Sequence, residues 1–286
     1  MSNRQTKARS PETKQQAPTA YYLYCIGEAE ALLPLFETKL PVAIESDGGV
    51  EVVARDDLAA VVSRVELIDY GEKELQAHLA DSTWTAVRAM RHEKVVEHFA
   101  ARASVIPLRF GAIYLERSGV AEMLDARREE FREAIRQLQG REEWGVNVYL
   151  DSAKFIDQIT SVSAHLRELE ERAEAASPGQ SYLIRKKIDA LRRDEAQSER
   201  KRIGLRIEET LAAQSEGSTR VRVLKDEATE HGALAFKYAF LVDRNRFSEF
   251  RSNAEQLAQE YQALGFQIEL TGPWPAYNFA NPKNNG

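Results

Sequence analysis

The chain has 286 residues, of which 43% are hydrophobic and 29% are charged, and its net charge is −6. This length allows two domains, and the composition can bury a core beneath a polar surface. An acidic balance with both signs mixed argues against a broad nucleic-acid surface. The single cysteine, Cys25, excludes an internal disulfide and a cysteine-based metal cluster.

The first segment, Met1–Thr19, is polar and offers almost nothing to bury, so we predict a disordered tail. It lacks the apolar centre of a secretory signal, and no later stretch approaches the roughly 18 apolar residues of a membrane span. We therefore expect a soluble protein that is not exported and has no membrane partner, and the single cysteine suits a reducing cytoplasm.

A small antiparallel sheet is predicted after the tail. The sequence YYLYCI is dense in strand-forming residues and indicates a buried strand. Val42–Ile44 and Val50–Ala54 flank Ser46–Gly49, which predicts a hairpin. Leu58–Val65 predicts a further strand after a turn at Arg55–Asp57.

Two long helices are predicted next, at Trp84–Arg102 and Ser118–Gln139. The apolar stripe of the first includes Trp84, Val87, Met90, Val95, Val96 and Phe99. A zinc protease motif needs two histidines four residues apart, whereas His92 and His98 are six apart and point to different faces. We therefore expect solvated or hydrogen-bonded histidines rather than metal ligands, and we expect Cys25 to be a small buried hydrophobe.

An almost wholly apolar stretch, VIPLRFGAIY at Val105–Tyr114, lies between these helices. It predicts a buried strand or extended segment, and Pro107 favours an edge or a bend. A guanidinium is not left unpaired in a core, so Arg109 is expected to be a structural anchor paired with a carboxylate. Gly111 indicates close backbone approach or an unusual dihedral angle.

The second half begins with a strand at Glu143–Leu150, followed by a helical region to about Gln214 that is broken at Ser177–Gly179. Within it, Arg192–Arg202 is polar on all sides and predicts a solvated, projecting helix. The elements that follow are predicted to be strands at Arg220–Leu224, Ala233–Val242 and Gly265–Gly272, with a helix at Phe247–Leu264 before the last strand.

This order of strands and helices predicts a ferredoxin-like, or split βαβ, domain. The fold class is therefore α+β with two domains. We place the tail at residues 1–19, an N-terminal α+β domain at 20–140 and a C-terminal ferredoxin-like domain at 141–286. The C-terminal domain carries a helical insertion at about 152–214.

Aromatic side chains mark two candidate binding elements in the second domain. Prolines in PWPAYNF favour an extended segment that displays aromatics, which either bind a partner or fold back onto the domain. The predicted strand Ala233–Val242 carries aromatics on one side, as an RNA-recognition sheet does, although the glycine-rich RNP pattern is missing. The candidate partner-binding residues are Phe236, Tyr238, Phe240, Trp274, Tyr277 and Phe279.

Four motifs in order, VIPLRFGAIY, EWGVNVY, SPGQSYLIRKK and TGPWPAYNF, closely resemble the GvpF/GvpL family of gas vesicle proteins. The sequences DDLAAVVSRV and LADSTWTAVRAMRHEKVVE fit the same pattern, and the likeness covers nearly everything from Tyr21 to Phe279. Departures at Ala112, Lys237 and Ala276 leave the choice between the F and L branches open.

The resemblance implies a cytoplasmic accessory or minor structural protein that is needed to assemble gas vesicles. Its partners would be the small hydrophobic shell protein and other gas vesicle proteins, without catalysis and without a cofactor. Two other classes remain as alternatives. One is an RNA-binding ferredoxin-like module, and the other is an enzyme whose candidate residues are Arg109, His92 and nearby acids.

Overall fold

The computed structural model describes residues 18–223, 228–229 and 232–280, and within them the chain forms two compact units. The first unit contains residues 18–98 and Leu108–Arg127, and the second contains Phe99–Pro107 and residues from Arg128 onward. Most of the predicted tail lies outside the described residues, as does Leu224, the last residue of the predicted strand Arg220–Leu224. Thr19, however, is the first residue of a strand. Residues 221–223 are described and are not a strand, so that prediction is wrong, and the strand found here is Gly217–Arg220.

The first unit combines a small sheet with several short helices and most of one long helix. Its elements are β1 (Thr19–Glu28), α1 (Ala29–Leu32), β2 (Glu51–Arg55), β3 (Leu58–Glu66), α2 (Leu67–Tyr70), α3 (Glu72–Leu79), most of α4 (Ser82–Ala100), β5 (Ile113–Tyr114) and α5 (Arg117–Ala126). The strand β4 (Val105–Pro107) lies between α4 and β5 in the chain.

The sheet of the first unit is antiparallel, as expected, in the order β2-β3-β1, and β5 also pairs with β1. Its hairpin turn is at Asp56-Asp57, where Asp56 has a positive φ of 52°. The hairpin predicted at Ser46–Gly49 is wrong, because Val42–Ile44 is not a strand. Burial of Ile44 is instead compensated by a hydrogen bond from its N–H to the Tyr24 hydroxyl.

Two helix predictions need correction. The single helix expected at Ser118–Gln139 is α5 followed by α6 (Arg128–Leu138), with a break at Arg127. The apolar stripe of α4 is narrower than expected, since Val87 and Met90 are 36% and 55% exposed whereas Val95 and Phe99 are buried. Periodicity alone does not say how much of a stripe the neighbouring elements cover.

The second unit has a larger sheet packed against long helices. After α6 come β6 (Arg141–Leu150), α7 (Ser152–Val162), α8 (Ala164–Glu174), α9 (Pro178–Ala212), β7 (Gly217–Arg220), β8 (Ala228–Thr229), β9 (Gly232–Asp243), α10 (Phe247–Gln262) and β10 (Phe266–Trp274). The sheet order is β10-β6-β9-β7, every neighbouring pair is antiparallel, and β8 pairs with β9.

Local chemistry explains where these helices begin and end. The Asp151 carboxylate accepts hydrogen bonds from the N–H groups of Ala153 and Lys154, so it caps α7. The predicted break before α9 is confirmed: Pro178 occupies the first turn, where its missing N–H costs nothing. Gly265, with a φ of 90°, follows α10.

The segment Arg192–Arg202 is not a solvated projection. It lies inside the 35-residue helix α9, which packs against α7 and α8. Ala196 is 7% exposed and belongs to the core of the second unit, together with Phe155, Leu166 and Ile203. A short alanine lets α9 approach its neighbours closely, so this part of the helix needs little apolar area to be packed.

Candidate interaction surface

The aromatic C-terminal segment is fixed to the second sheet by one buried carboxylate. Glu143 on β6 is 4% exposed and accepts a hydrogen bond on each oxygen from Asn278. The backbone N–H of Asn278 lies 2.9 Å from Oε2, and its side-chain Nδ2 lies 2.6 Å from Oε1. This contact joins residues 135 positions apart and holds the end of the described chain against the sheet.

Burial governs the electrostatics of this contact. Loss of solvent raises the pKa of the Glu143 carboxyl above its ordinary value, and the two hydrogen bonds from Asn278 partly oppose that rise. The carboxylate therefore tolerates its site because Asn278 supplies donors to both oxygens.

Phe279 anchors the same segment with apolar contacts. It is 6% exposed. A Cβ added to Gly217 would lie 3.2 Å from its ring and 3.8 Å from the Leu241 side chain. The absence of a side chain at Gly217 therefore leaves room for Phe279 on β7 and β9. Phe279 therefore packs within its own unit, and its ring is not available to a partner.

Trp274 remains open to solvent beside this anchored segment. Its side chain is 46% exposed, and its indole N–H donates to the Thr271 hydroxyl over 3.2 Å. Tyr277 is half-buried. The segment thus combines a fixed backbone with one large exposed aromatic side chain.

The aromatic residues of β9 have a different environment. Tyr238 and Phe240 are 2% and 0% exposed, and the Tyr238 hydroxyl donates to the Gly204 carbonyl of α9 over 2.9 Å. The ring of Phe236 also faces α9, since a Cβ on Gly204 would lie 2.6 Å from it. Phe240 packs against Phe250 of α10, with ring centroids 5.4 Å apart.

These contacts overturn the proposed availability of the β9 aromatics. The face that an RNA-recognition module leaves open for base stacking is covered here by α9 and α10. The side chains of Phe236, Tyr238 and Phe240 therefore pack inside the unit. These aromatics no longer favour RNA binding, because they do not form an open stacking surface. The strand pattern could not reveal this, because it does not say which face a distant helix covers.

Arg109 is exposed, so the expected buried ion pair at this residue is wrong. Val105 and Ile106 of β4 are buried, but the strand ends at Pro107 and the chain turns at Phe110–Gly111. Gly111 has a φ of 94°, which confirms the unusual dihedral angle expected at this residue. The turn carries Arg109 out of the apolar environment that its sequence neighbours suggested.

His92 is a buried structural histidine of the first unit. Its Nε2 lies 3.0 Å from the Leu108 carbonyl, and its Nδ1 lies 2.8 Å from the Tyr22 hydroxyl. One arrangement satisfies both contacts: Nε2–H donates to Leu108, and Nδ1 accepts from Tyr22, whose oxygen accepts from the Gly111 N–H. Burial lowers the pKa of His92 to about 4, so the ring is neutral near pH 7.

Cys25 is fully buried, and burial raises the pKa of its thiol, in agreement with the expected hydrophobic role.

The sequence analysis did not single out Glu143, although an acidic residue at the start of an otherwise apolar strand was a usable signal. In the part of the chain that the structure describes, no helix is long and apolar enough to cross a membrane.

Comparison with known proteins identifies the family. A family model described as "Gas vesicle synthesis protein GvpL/GvpF" matches residues 20–281, which is nearly the whole chain. The protein belongs to the GvpL/GvpF family. The resemblance carried by the four sequence motifs is thereby confirmed.

Relatives from both branches of the GvpL/GvpF family are similar to this chain. Gas vesicle protein L of Streptomyces sp. (strain CB03234) is 30% identical over 249 residues, which cover 86% of this chain and 89% of that protein. Gas vesicle protein F of the same organism is 27% identical, covering 90% of this chain and 98% of that protein.

The solved structures agree on the GvpL/GvpF fold. The crystal structure of GvpF from Anabaena sp. PCC7120 superposes with a TM-score of 0.62 at 19% identity, covering 92% of this chain and 96% of that one. GvpF from Microcystis aeruginosa gives a TM-score of 0.58 at 16% identity, covering 92% and 99%. At these identities the likeness establishes the fold alone.

Proposed function

We propose that this protein is an assembly accessory or minor structural protein of gas vesicles that binds the small hydrophobic shell protein and other gas vesicle proteins. It would act in the cytoplasm, in association with gas vesicles, through protein contacts rather than catalysis. Membership of the GvpL/GvpF family supports the gas vesicle role. The accessory or minor structural role and the contact with the shell protein are the parts that we propose.

The exposed indole of Trp274 is the observation that carries this proposal. A very apolar shell subunit needs its surface covered before assembly, and aromatics offer large contact area at low entropic cost. With 46% of Trp274 exposed, covering it would remove on the order of 100 Å² from water, worth roughly 2–3 kcal/mol. The two hydrogen bonds between Glu143 and Asn278 hold the neighbouring backbone in place. Less conformational entropy is therefore lost when a partner binds.

We also propose a ferredoxin-like class for the second unit. The observed order β10-β6-β9-β7 and the antiparallel pairing support it, as do the helices after β6 and before β10. The domain boundaries proposed above, near residues 140 and 141, differ from the compact units in placing Phe99–Pro107 and residues 128–140 with the N-terminal half.

The test is parallel measurement of folding and shell-subunit binding for Trp274→Ala. We expect unchanged circular dichroism and a thermal midpoint close to that of the parent, with affinity reduced about tenfold or more. Tyr182→Ala is the matched control, because Tyr182 is a 62% exposed aromatic on α9. Folded Trp274→Ala that binds the shell subunit as tightly as the parent contradicts the proposed interface.

A further inference from the structure

A small open pocket of about 240 Å³ lies in the second unit between α9 and the start of α7. Its apolar lining consists of Leu150, Phe155, Ile156 and Ala196. Its polar lining consists of Ser152, Gln197 and two cationic residues of α9, Arg193 and Arg200. Pockets that enclose small-molecule ligands usually measure roughly 300–1,000 Å³. This pocket is smaller, and its size suits one side chain of a protein partner.

Both arginines are available to a ligand. They lie seven residues apart on one face of α9, which separates them by about 10 Å along the helix axis. Neither forms an ion pair or hydrogen bond with another residue in the part of the chain that the structure describes. The Nε of Arg200 is shielded from solvent without an acceptor, and its guanidinium carbon lies 6.0 Å from the centre of the Phe236 ring.

Three of the acids near the two arginines already have partners of their own. Glu195 lies 2.8 Å from His165 Nδ1 and also accepts from the Ser163 hydroxyl, and Glu199 pairs with Arg202 at 2.7 Å. Asp151 caps the first turn of α7. Two arginines therefore remain at the mouth of the pocket without a described acidic partner, and they favour an anionic ligand.

We propose that this pocket is a docking site for a polypeptide segment in which an acidic residue adjoins an apolar one. The apolar side chain enters between α7 and α9, and the carboxylate binds Arg193 or Arg200. The identity of the partner, the gas vesicle shell subunit, rests on the proposed function. The chemistry of the pocket does not, and it can be tested without any partner.

The first experiment uses hexanoate as the probe and observes the arginine Nε–Hε resonances by NMR. We expect hexanoate to shift the Arg193 and Arg200 signals in a saturable way, and we expect hexanol and acetate to have little effect, because each lacks one half of the ligand. Equal shifts from acetate and hexanoate, or none from either, would overturn the pocket. Dodecanoate binding far more tightly than hexanoate would indicate a free lipid and overturn the polypeptide occupant.

The second experiment compares charge reversals for binding of the shell subunit. Arg193→Glu and Arg200→Glu should each weaken binding about tenfold or more, because attraction to the carboxylate becomes repulsion. Lys201→Glu is the control, since it makes the same charge change on the exposed side of the same helix. Arg193 is itself exposed, so its variant tests the site even if Arg200→Glu folds poorly.

The two proposals fail in different ways. If the parent protein does not bind the shell subunit, the proposed function fails and the hexanoate titration still decides the pocket. If the parent binds and both arginine variants bind as tightly as Lys201→Glu, the docking site is refuted while the proposed function stands.

Discussion

The packing of α9 on β9 makes a sharp prediction for Gly204→Ala. An alanine inside a helix normally stabilises it by roughly 1 kcal/mol relative to glycine. Here the new Cβ would lie 2.6 Å from the Phe236 ring, against a preferred carbon separation of about 3.5–4.0 Å. Overpacking of this kind costs about 1–3 kcal/mol. The expected net effect is a loss of up to about 2 kcal/mol instead of a gain.

A control on the same helix separates strain from helix propensity. Gly179 lies in the first turn of α9, and a Cβ there meets nothing within 4 Å. Gly179→Ala should therefore be neutral or slightly stabilising. In the double variant Gly204→Ala with Phe236→Ala, the added Cβ has space, so the two changes should be less costly together than the sum of their separate effects.

The assay for Gly204→Ala is urea denaturation of the whole protein, with hydrogen exchange of the β9 amides as a local measure. Hydrogen exchange is needed because two units need not unfold together. If Gly204→Ala is stabilised by about as much as an unstrained helix glycine would be, and β9 exchange does not accelerate, α9 does not cover the β9 aromatics. The face of β9 would then be open, and RNA binding there would again be possible.

Three further predictions concern single side chains. Arg109→Ala should change the free energy of unfolding by no more than about 0.5 kcal/mol, because the residue is exposed, and a larger loss in thermal melts would restore a structural role. Burial depresses the pKa of His92, so the protein should lose up to roughly 3 kcal/mol as pH falls from its ordinary value of 6.5 to about 4. Urea denaturation should show that His92→Gln removes this loss, and an unchanged pH slope would contradict the assignment. The raised pKa of Glu143 means that its ionisation costs stability as pH rises. Urea denaturation of Glu143→Gln should show a stability difference from the parent that grows in favour of Gln between pH 4 and pH 7, and a constant difference would disprove the burial effect.

The sequence identified most residues of the candidate surface, but it could not tell which of them are exposed and which are buried. PWPAYNF indicated an aromatic segment that either bound a partner or folded back. The structure divides it, with Phe279 buried and Trp274 46% exposed. The strand pattern likewise identified Phe236 and Tyr238 on one face, yet only the position of α9 shows that this face is covered. Side-chain type fixes what a residue can do, and exposure decides whether a partner can reach it.

The sequence by itself determined what depends on near neighbours along the chain. The strand at β1, the turn before β3, the proline start of α9 and the glycine after α10 all follow from local propensity and dihedral preference. The order of motifs likewise identified the family. These features involve residues within one or two turns, where chemistry and spacing leave few alternatives.

Only the tertiary structure decided which residues meet across long loops. Glu143 and Asn278 are separated by 135 positions, and the Tyr238 hydroxyl meets a carbonyl 34 residues earlier in the chain. The burial of Ala196 depends in the same way on α7 and α8, which pack against α9. Local periodicity contains no information on such pairs, because they form only when the whole unit closes and their gain repays the entropy of closing the loops.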